Sequence, residues 1–167
     1  MKQAPRERPS ARSLRVAIVR SLFNRPVTDG LLEGARSALA EMGAASSRVA
    51  VFDLPGAFEL PLAARAAARS GRFDAVVALG AVILGETDHY EHVAREAASG
   101  LAAVARETGV PVAFGVLTVR QEEQARRRAA PGPDNKGAEA ARAAVMTALA
   151  LRAIGRRRPP AGRRRSR

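Results

Sequence analysis

The stretch DAVVALGAVIL, residues 74–84, decides the fold that the sequence predicts. Its nearly unbroken apolar character is typical of a strand buried on both faces of a parallel sheet, and at this length it is too short to span a membrane. Three further runs share that character, namely 15–20 (RVAIVR), 48–53 (RVAVFD) and 111–118 (PVAFGVLT). We therefore expect four parallel strands.

Helical patterns rich in Ala, Leu, Glu and Arg alternate with these strands and follow the last one. They are expected over residues 29–42, 58–69, 90–107, 121–130 and 137–154, and the first three end near a glycine, as helices often do. The alternation predicts an α/β three-layer sandwich of the flavodoxin-like kind, in which helices flank a four-stranded parallel sheet. Ligands of such sheets bind beyond the carboxyl ends of the strands.

The formal net charge of +12 lies almost entirely at the two ends of the chain. Residues 1–15 sum to +4, residues 155–167 to +7, and the body between them to +1. We interpret 1–14 as a disordered basic arm, 15–154 as one folded domain and 155–167 as a disordered Arg-rich tail, because these Pro-, Gly- and Ser-containing ends are too polar to form a core. Solubilising tails are the favoured interpretation, and weak, salt-sensitive binding of polyanions is the alternative.

The composition also excludes several classes of protein. Without cysteine there is no disulfide, no thiolate nucleophile and no cysteine-based metal site. The first fourteen residues carry no apolar segment of the kind found in secretory signals, so we expect a cytoplasmic protein that does not associate with membranes.

The first two strands are followed by aromatic residues. Phe23 is either a lid on the core or a platform for a planar ligand, and the core is favoured. The Pro55-Gly56 turn is expected to place Phe58 and Glu59 in the first turn of a helix, at the mouth of the crevice. There Glu59 either complements the helix dipole or accepts hydrogen bonds from hydroxyl groups.

The third strand is followed by GETDHYEH, residues 85–92, which contains both histidines of the chain. A glycine, a threonine and a helix start are typical of an anion site formed by free amide groups. The helix dipole favours a neutral imidazole at His89, which is a competent proton shuttle. The alternatives are a plain helix cap at Thr87 or Asp88, and a surface histidine. A metal site at His89 and His92 lacks a third ligand and the usual spacing.

The fourth strand contains Phe114, which we expect to be buried. It is followed by the basic run 126–128 and a Pro/Gly loop that ends at Lys136, the only lysine outside the N-terminal arm. This basic segment is either a solvated face or a contact to an anion, for which Arg offers two parallel hydrogen bonds and Lys a point charge.

In order and spacing, these segments resemble the 6,7-dimethyl-8-ribityllumazine synthase family over about residues 15–154. The matching pieces are FN (23–24), PGAFE (55–59), GETDHY (85–90), TGVPV (108–112), FGVLT (114–118), EQA (123–125), RA (128–129) and NKG (135–137). The resemblance implies a cofactor-independent enzyme of riboflavin biosynthesis. It would condense 5-amino-6-(D-ribitylamino)uracil with 3,4-dihydroxy-2-butanone 4-phosphate to give 6,7-dimethyl-8-ribityllumazine, phosphate and water.

The resemblance also implies roles for individual residues. His89 would move protons, and Phe23 would stack on the pyrimidine ring. The remaining substrate-binding residues would be Ala57, Phe58 and Glu59 near the ribityl chain, the backbone of Val82 and Ile83 at the pyrimidine edge, and Gly85, Glu86 and Thr87 at the phosphate. Arg128, Phe114 and Lys136 would complete the pocket from a neighbouring subunit.

Assembly is a further implication, because the family forms homopentamers and some members build an icosahedral capsid. The loop 130–137 has the length seen in capsid formers, which favours the capsid. Leu84 and Gly132 depart from the family, which commonly has basic residues there, and both departures reduce the expected phosphate affinity.

Three rival functions remain open at this point. One is the archaeal-type riboflavin synthase, which uses the lumazine as substrate, although the segments PGAFE and GETDHY fit lumazine synthase better. Another is a flavin- or lumazine-binding protein that has lost catalysis, and Leu84 and Gly132 are the features that would support it. The third is a shell protein whose tails bind polyanions.

Overall fold

The apolar run at the centre of the sequence forms β3 (Ala75–Ile83), and eight of its nine residues are buried. In this computed structural model, which describes residues 9–155, β3 lies inside a four-stranded sheet in which every strand is parallel to its neighbours. The other strands are β1 (Val16–Ser21), β2 (Val49–Leu54) and β4 (Val112–Val119), and their order is β2-β1-β3-β4. The predicted flavodoxin-like sandwich is confirmed.

The two edge strands are less buried than their composition predicts. No residue of β2 is fully buried, and the side chain of Phe52 is 40% exposed. The prediction that this run is covered on both faces is therefore wrong for β2. An apolar run does not reveal strand order, and an edge strand has a neighbour on one side only.

Five α-helices cover the two faces of the sheet within residues 9–155. They are α1 (Arg25–Glu41), α2 (Leu60–Arg69), α3 (His89–Thr108), α4 (Glu122–Ala129) and α5 (Lys136–Gly155). The helices α1, α4 and α5 bury their apolar residues against one face, and α2 and α3 bury theirs against the other. None of these helices is both long enough and apolar enough to cross a membrane.

The starts of two helices differ from the prediction. Helix α1 begins at Arg25 instead of residue 29, because Pro26 in its first turn favours the helix start. The ring of proline fixes a backbone φ angle suited to a helix, and the amide hydrogen that proline lacks would have no partner in the first turn. Helix α2 begins at Leu60, so Phe58 and Glu59 lie in the turn before it instead of in its first turn. The first difference shortens the loop after β1, and the second lengthens the loop after β2. Both loops border the carboxyl edge of the sheet.

A buried asparagine joins three helices on one face. Asn135 is 2% exposed, and its Oδ1 accepts hydrogen bonds from the amides of Gly137 (2.9 Å) and Ala138 (3.0 Å) at the start of α5. Its Nδ2 donates to the carbonyl oxygens of Gly30 in α1 (3.1 Å) and Ala129 in α4 (2.8 Å). Nδ2 is also 3.1 Å from the carbonyl oxygen of Ala130. One side chain therefore caps α5 and links it to α1 and to the end of α4.

The described ends of the chain pack against the body. Ala11 and Leu14, which fall in the predicted N-terminal arm, are fully buried, and the Ala11 amide donates to the carbonyl oxygen of Met42 (2.8 Å). Gly155, assigned to the tail from the sequence, is the last residue of α5. The remainder of the predicted arm and tail, residues 1–8 and 156–167, lies outside the described residues.

Candidate active site

The loops after β1, β2 and β3 border one cleft at the carboxyl edge of the sheet, with a volume of about 500 Å³. This is the place that parallel-sheet topology predicts for a ligand. Its lining includes nine of the residues expected from the sequence, namely Phe23, Ala57, Phe58, Glu59, Val82, Ile83, Gly85, Thr87 and His89. Glu86 lies on the same loop as Gly85 and Thr87 but is exposed and does not line the cleft.

Two aromatic side chains that line the cleft are exposed. Phe23 is 69% exposed and Phe58 is 57% exposed. The favoured expectation that Phe23 is buried in the core is therefore wrong, because β1 ends before it and the loop leaves the ring at the surface. An exposed ring that lines a concave surface is suited to stacking on a planar ligand.

Asn24 fixes the loop that carries Phe23. It adopts the left-handed conformation (φ 57°, ψ 47°), which Asn tolerates better than most residues, and its Nδ2 donates to the carbonyl oxygen of Ala81 in β3 at 2.9 Å. Its carbonyl oxygen accepts the amide of Val27 at 2.9 Å in the first turn of α1. Sequence reasoning gave Asn24 no role of its own, although an Asn directly before a helix start was a usable signal.

An ion-pair cluster joins β1, β2 and α1 beside the cleft. Arg20 is 6% exposed and forms two parallel hydrogen bonds to Asp53, Nε to Oδ1 at 2.8 Å and Nη2 to Oδ2 at 2.9 Å. Its Nη1 donates to Oδ1 of Asp29 at 2.5 Å. The hydrogen bonds from Arg20 lower the pKa of Asp53, and those same bonds raise the pKa of Arg20. Sequence reasoning read this strand as apolar and missed the cluster.

The cluster leads to a prediction about acid stability. Because the pKa of Asp53 is lowered from 3.8 in the folded protein, the stabilisation from its pairing is fully present above that value and disappears as pH falls through the lowered pKa. We expect Asp53→Asn to be less stable than the parent near neutral pH and equally stable in strong acid. Urea unfolding of both proteins across a pH series measures this. A difference that stays constant with pH would contradict it, and Asp134→Asn, in an exposed loop, serves as the control.

The amino end of α3 forms the third side of the cleft. The helix begins at His89, and Asp88 occupies the cap position without a hydrogen bond from its side chain. The Glu91 amide donates to the carbonyl oxygen of Asp88 at 3.0 Å, so the amides that precede it at the amino end of α3, together with the positive end of the helix dipole, are the groups that face an anion. His89 lines the cleft next to Thr87, and both side chains are exposed.

Three predicted site residues lie elsewhere. Phe114, Arg128 and Lys136 line a second groove of about 330 Å³ between β4 and the helices α4 and α5. Phe114 is 46% exposed, so its expected burial is wrong, because β4 is the other edge strand of the sheet. Lys136 Nζ pairs with Oε2 of Glu139 in its own helix at 2.5 Å. Within one chain, this groove does not join the cleft.

The two departures from the family pattern have different surroundings. Leu84 is 42% exposed directly after β3, so an apolar side chain stands beside the anion loop. Gly132 has φ +135°, a conformation that residues with a side chain rarely adopt. The backbone itself therefore explains why glycine occupies position 132.

In the region 9–155, no group of three His, Asp or Glu residues is arranged to hold a metal ion.

Comparison with known proteins gives a consistent result. A family model described as 6,7-dimethyl-8-ribityllumazine synthase matches residues 13–152. A curated 6,7-dimethyl-8-ribityllumazine synthase from Edwardsiella ictaluri (strain 93-146) is 55% identical over 146 residues, which cover 87% of this chain and 94% of the relative. The match to the family model contains all four strands and every residue of both the cleft and the second groove.

Proposed function

The chain belongs to the 6,7-dimethyl-8-ribityllumazine synthase family, and from that premise we propose how its cleft and second groove carry out the reaction. It is a lumazine synthase of riboflavin biosynthesis. The amine of the ribitylaminopyrimidine attacks the carbonyl of the butanone phosphate, and a first water leaves as the imine forms. Phosphate is then eliminated, and the second ring closes with loss of a second water. The cleft at the carboxyl edge of the sheet is the observation that carries the proposal, since it unites aromatic, carboxylate, imidazole and free amide groups.

We assign the pyrimidine and its ribityl chain to the part of the cleft between β1 and β2. Phe23 stacks on the flat ring, which accounts for an aromatic side chain that is 69% exposed. Glu59 accepts hydrogen bonds from the ribityl hydroxyls, while Ala57 and Phe58 provide apolar contact. The backbone of Val82 and Ile83 at the end of β3 meets the polar edge of the ring.

We assign the phosphate to the amino end of α3. Gly85, Glu86 and Thr87 offer main-chain amides, and Glu86 contributes in this way although its side chain lies outside the cleft. His89, the first residue of the helix, accepts a proton as the imine forms and returns one as phosphate departs. Holding both reactants in contact supplies much of the rate, so modest acid–base groups suffice.

The second groove completes the site of a neighbouring copy. A phosphate needs positive charge, and no arginine or lysine is among the residues that line the cleft, while Leu84 occupies the position before the anion loop where a basic residue is common in the family. Arg128, Phe114 and Lys136 of an adjacent subunit supply the missing cation and close the pocket. We propose a homopentamer on this basis, with an icosahedral capsid as its higher assembly, and a cytoplasmic location.

Removal of Arg128 should act on one substrate only. Arg128→Ala is expected to raise KM for the phosphate substrate by about 10- to 100-fold, the equivalent of one charged hydrogen-bonding partner, with a much smaller effect on KM for the pyrimidine. Steady-state kinetics with each substrate varied in turn measures the two values. The matched control is Arg127→Ala, an exposed arginine on the same helix that does not line the groove. Equal changes in both KM values would refute the assignment.

Two measurements test the function as a whole. Purified protein is incubated with both substrates while lumazine fluorescence is followed, and light scattering gives the particle mass. Lumazine production and a mass of five times the 17.6 kDa chain, or a capsid multiple of it, are expected. Conversion of added lumazine to riboflavin would indicate the rival riboflavin synthase, and tight lumazine binding without turnover would indicate a binding protein. A monomer that turns over would refute the shared site.

A further inference from the structure

A basic groove of about 410 Å³ lies at the opposite, amino edge of the sheet. Arg15 directly precedes β1, Arg48 directly precedes β2, and Arg72 lies in the turn before β3. Because the strands are parallel, these three side chains gather at one edge, and Ser47 and Phe73 line the groove with them. The groove is therefore separated from the cleft by the length of the sheet.

The three arginines retain their positive charge toward solvent. All three are exposed, and none pairs with a carboxylate in the described part of the chain. Asp74, the acidic residue nearest to Arg72 in the sequence, already has hydrogen-bond partners on both carboxylate oxygens. Its Oδ2 accepts the Arg15 amide at 2.7 Å, and its Oδ1 accepts Nη2 of Arg152 at 2.6 Å. Such a cluster of unneutralised charge attracts anions.

The groove also has a flat aromatic element. The guanidinium of Arg72 lies over the ring of Phe73, 5.3 Å from its centre, and the ring of Phe73 meets that of Phe52 edge to face at 6.0 Å. Phe52 is 40% exposed on the edge strand. A phosphate-binding cluster next to aromatic and guanidinium planes is the combination by which proteins hold single-stranded nucleic acid, with bases stacked and phosphates paired.

The described ends of the chain meet at the same edge. Arg152 in the last turn of α5 donates to Oγ of Ser13 at 3.0 Å and to Asp74 at 2.6 Å, so the segment before β1 and the end of α5 meet beside the groove. From Gly155 the sequence continues with seven arginines and no acidic residue. The last described residue, Gly155, therefore ends a helix whose final turn contacts Asp74 beside the groove.

We propose that this amino-edge groove binds single-stranded nucleic acid, with phosphates held by Arg15, Arg48 and Arg72 and a base stacked at Arg72 and Phe73. The activity is additional to lumazine synthesis and is independent of the cleft. We infer a nucleic acid because its planar bases can stack on the aromatic ring and the guanidinium group, whereas an inorganic polyphosphate or a lipid headgroup has no planar ring that could stack there.

The test is fluorescence anisotropy of a labelled oligothymidylate with the full-length assembled protein. The variant Arg48→Gln/Arg72→Gln is compared with Arg36→Gln/Arg127→Gln, which removes the same charge from exposed arginines elsewhere. We expect the first variant to bind roughly tenfold more weakly than the second. Its slope of log affinity against log salt should be smaller by about 1.4, the value for two phosphate contacts to a single strand.

A second arm tests the stacking. An abasic oligonucleotide of equal length should bind the parent about tenfold more weakly than oligothymidylate. Equal affinity for both, or for polyphosphate of equal charge, would overturn the proposal in favour of general polyanion attraction. Equal affinity of the two double variants would overturn it in favour of the tails or of another face, since the tails are the same in both. Lumazine production should be unchanged in both variants.

Discussion

Replacing His89 by alanine is expected to lower kcat by about 100-fold or more, with little change in KM for either substrate. A positioned acid–base group contributes roughly 10²- to 10⁴-fold, and proton transfers accompany both imine formation and phosphate loss. His89 stands exposed at the first residue of α3, so its removal leaves no buried cavity and the fold should be intact. Single-turnover measurement of lumazine formation reports the chemical step directly.

His92→Ala is the matched control for this prediction. His92 also lines the cleft, but its Nδ1 is 2.9 Å from Nη2 of Arg95 on the surface of the helix. We expect its loss to leave kcat within a fewfold of the parent. An unchanged rate in His89→Ala would remove that imidazole from the mechanism, and equal losses in both variants would point to damage at the helix start.

The second large effect concerns stability. Asn135→Ala should lower the free energy of unfolding by about 2–4 kcal/mol, because it removes the cap of α5 and the hydrogen bonds that Nδ2 donates to the carbonyl oxygens of Gly30 in α1 and of Ala129 at the end of α4. Urea unfolding at fixed protein concentration measures the change, since subunit association contributes to the midpoint. Lys136 follows directly in the chain, so substrate affinity at the second groove should weaken as well.

Two companions make the Asn135 prediction specific. Asp134→Ala changes the exposed neighbour and is expected to shift stability by less than about 0.5 kcal/mol. Asn135→Asp keeps an oxygen for the amides of Gly137 and Ala138 but turns a carboxylate oxygen toward the carbonyls of Gly30 and Ala129, so near neutral pH it should be clearly less stable than the parent. A variant Asn135→Ala as stable as the parent would show that water replaces the side chain.

Local patterns predicted the fold because the strand patterns, the helix patterns and the turn residues all indicate the same architecture. The β-branched runs, the alanine-rich helices and the glycines between them define a parallel sheet, and its topology then locates the cleft. The resemblance supplied the residues that line it. What these patterns do not contain is strand order, so the exposure of Phe52 and Phe114 on the edge strands could not be read from their apolar neighbours.

The side chains at the site were harder to predict than its place. Phe23 looks like a core residue by type, and only the position where β1 ends leaves it exposed. Arg20 lies in an apolar run, and its partners Asp29 and Asp53 are distant in sequence, so no local pattern reveals the cluster. Asn24 signals its left-handed turn by residue type, yet its bond to Ala81 depends on the packing of two strands.

Because the cleft and the groove of Arg128 lie on different parts of one chain, two defective proteins can repair each other. In a ring made by co-expressing His89→Ala with Arg128→Ala, an intact cleft of the second variant will sometimes face an intact groove of the first. Random mixing makes this happen at about a quarter of the contacts between subunits in a cyclic assembly. At low concentrations of the phosphate substrate, the mixed particles should therefore regain about that share of parental turnover, whereas blending the finished particles should regain none.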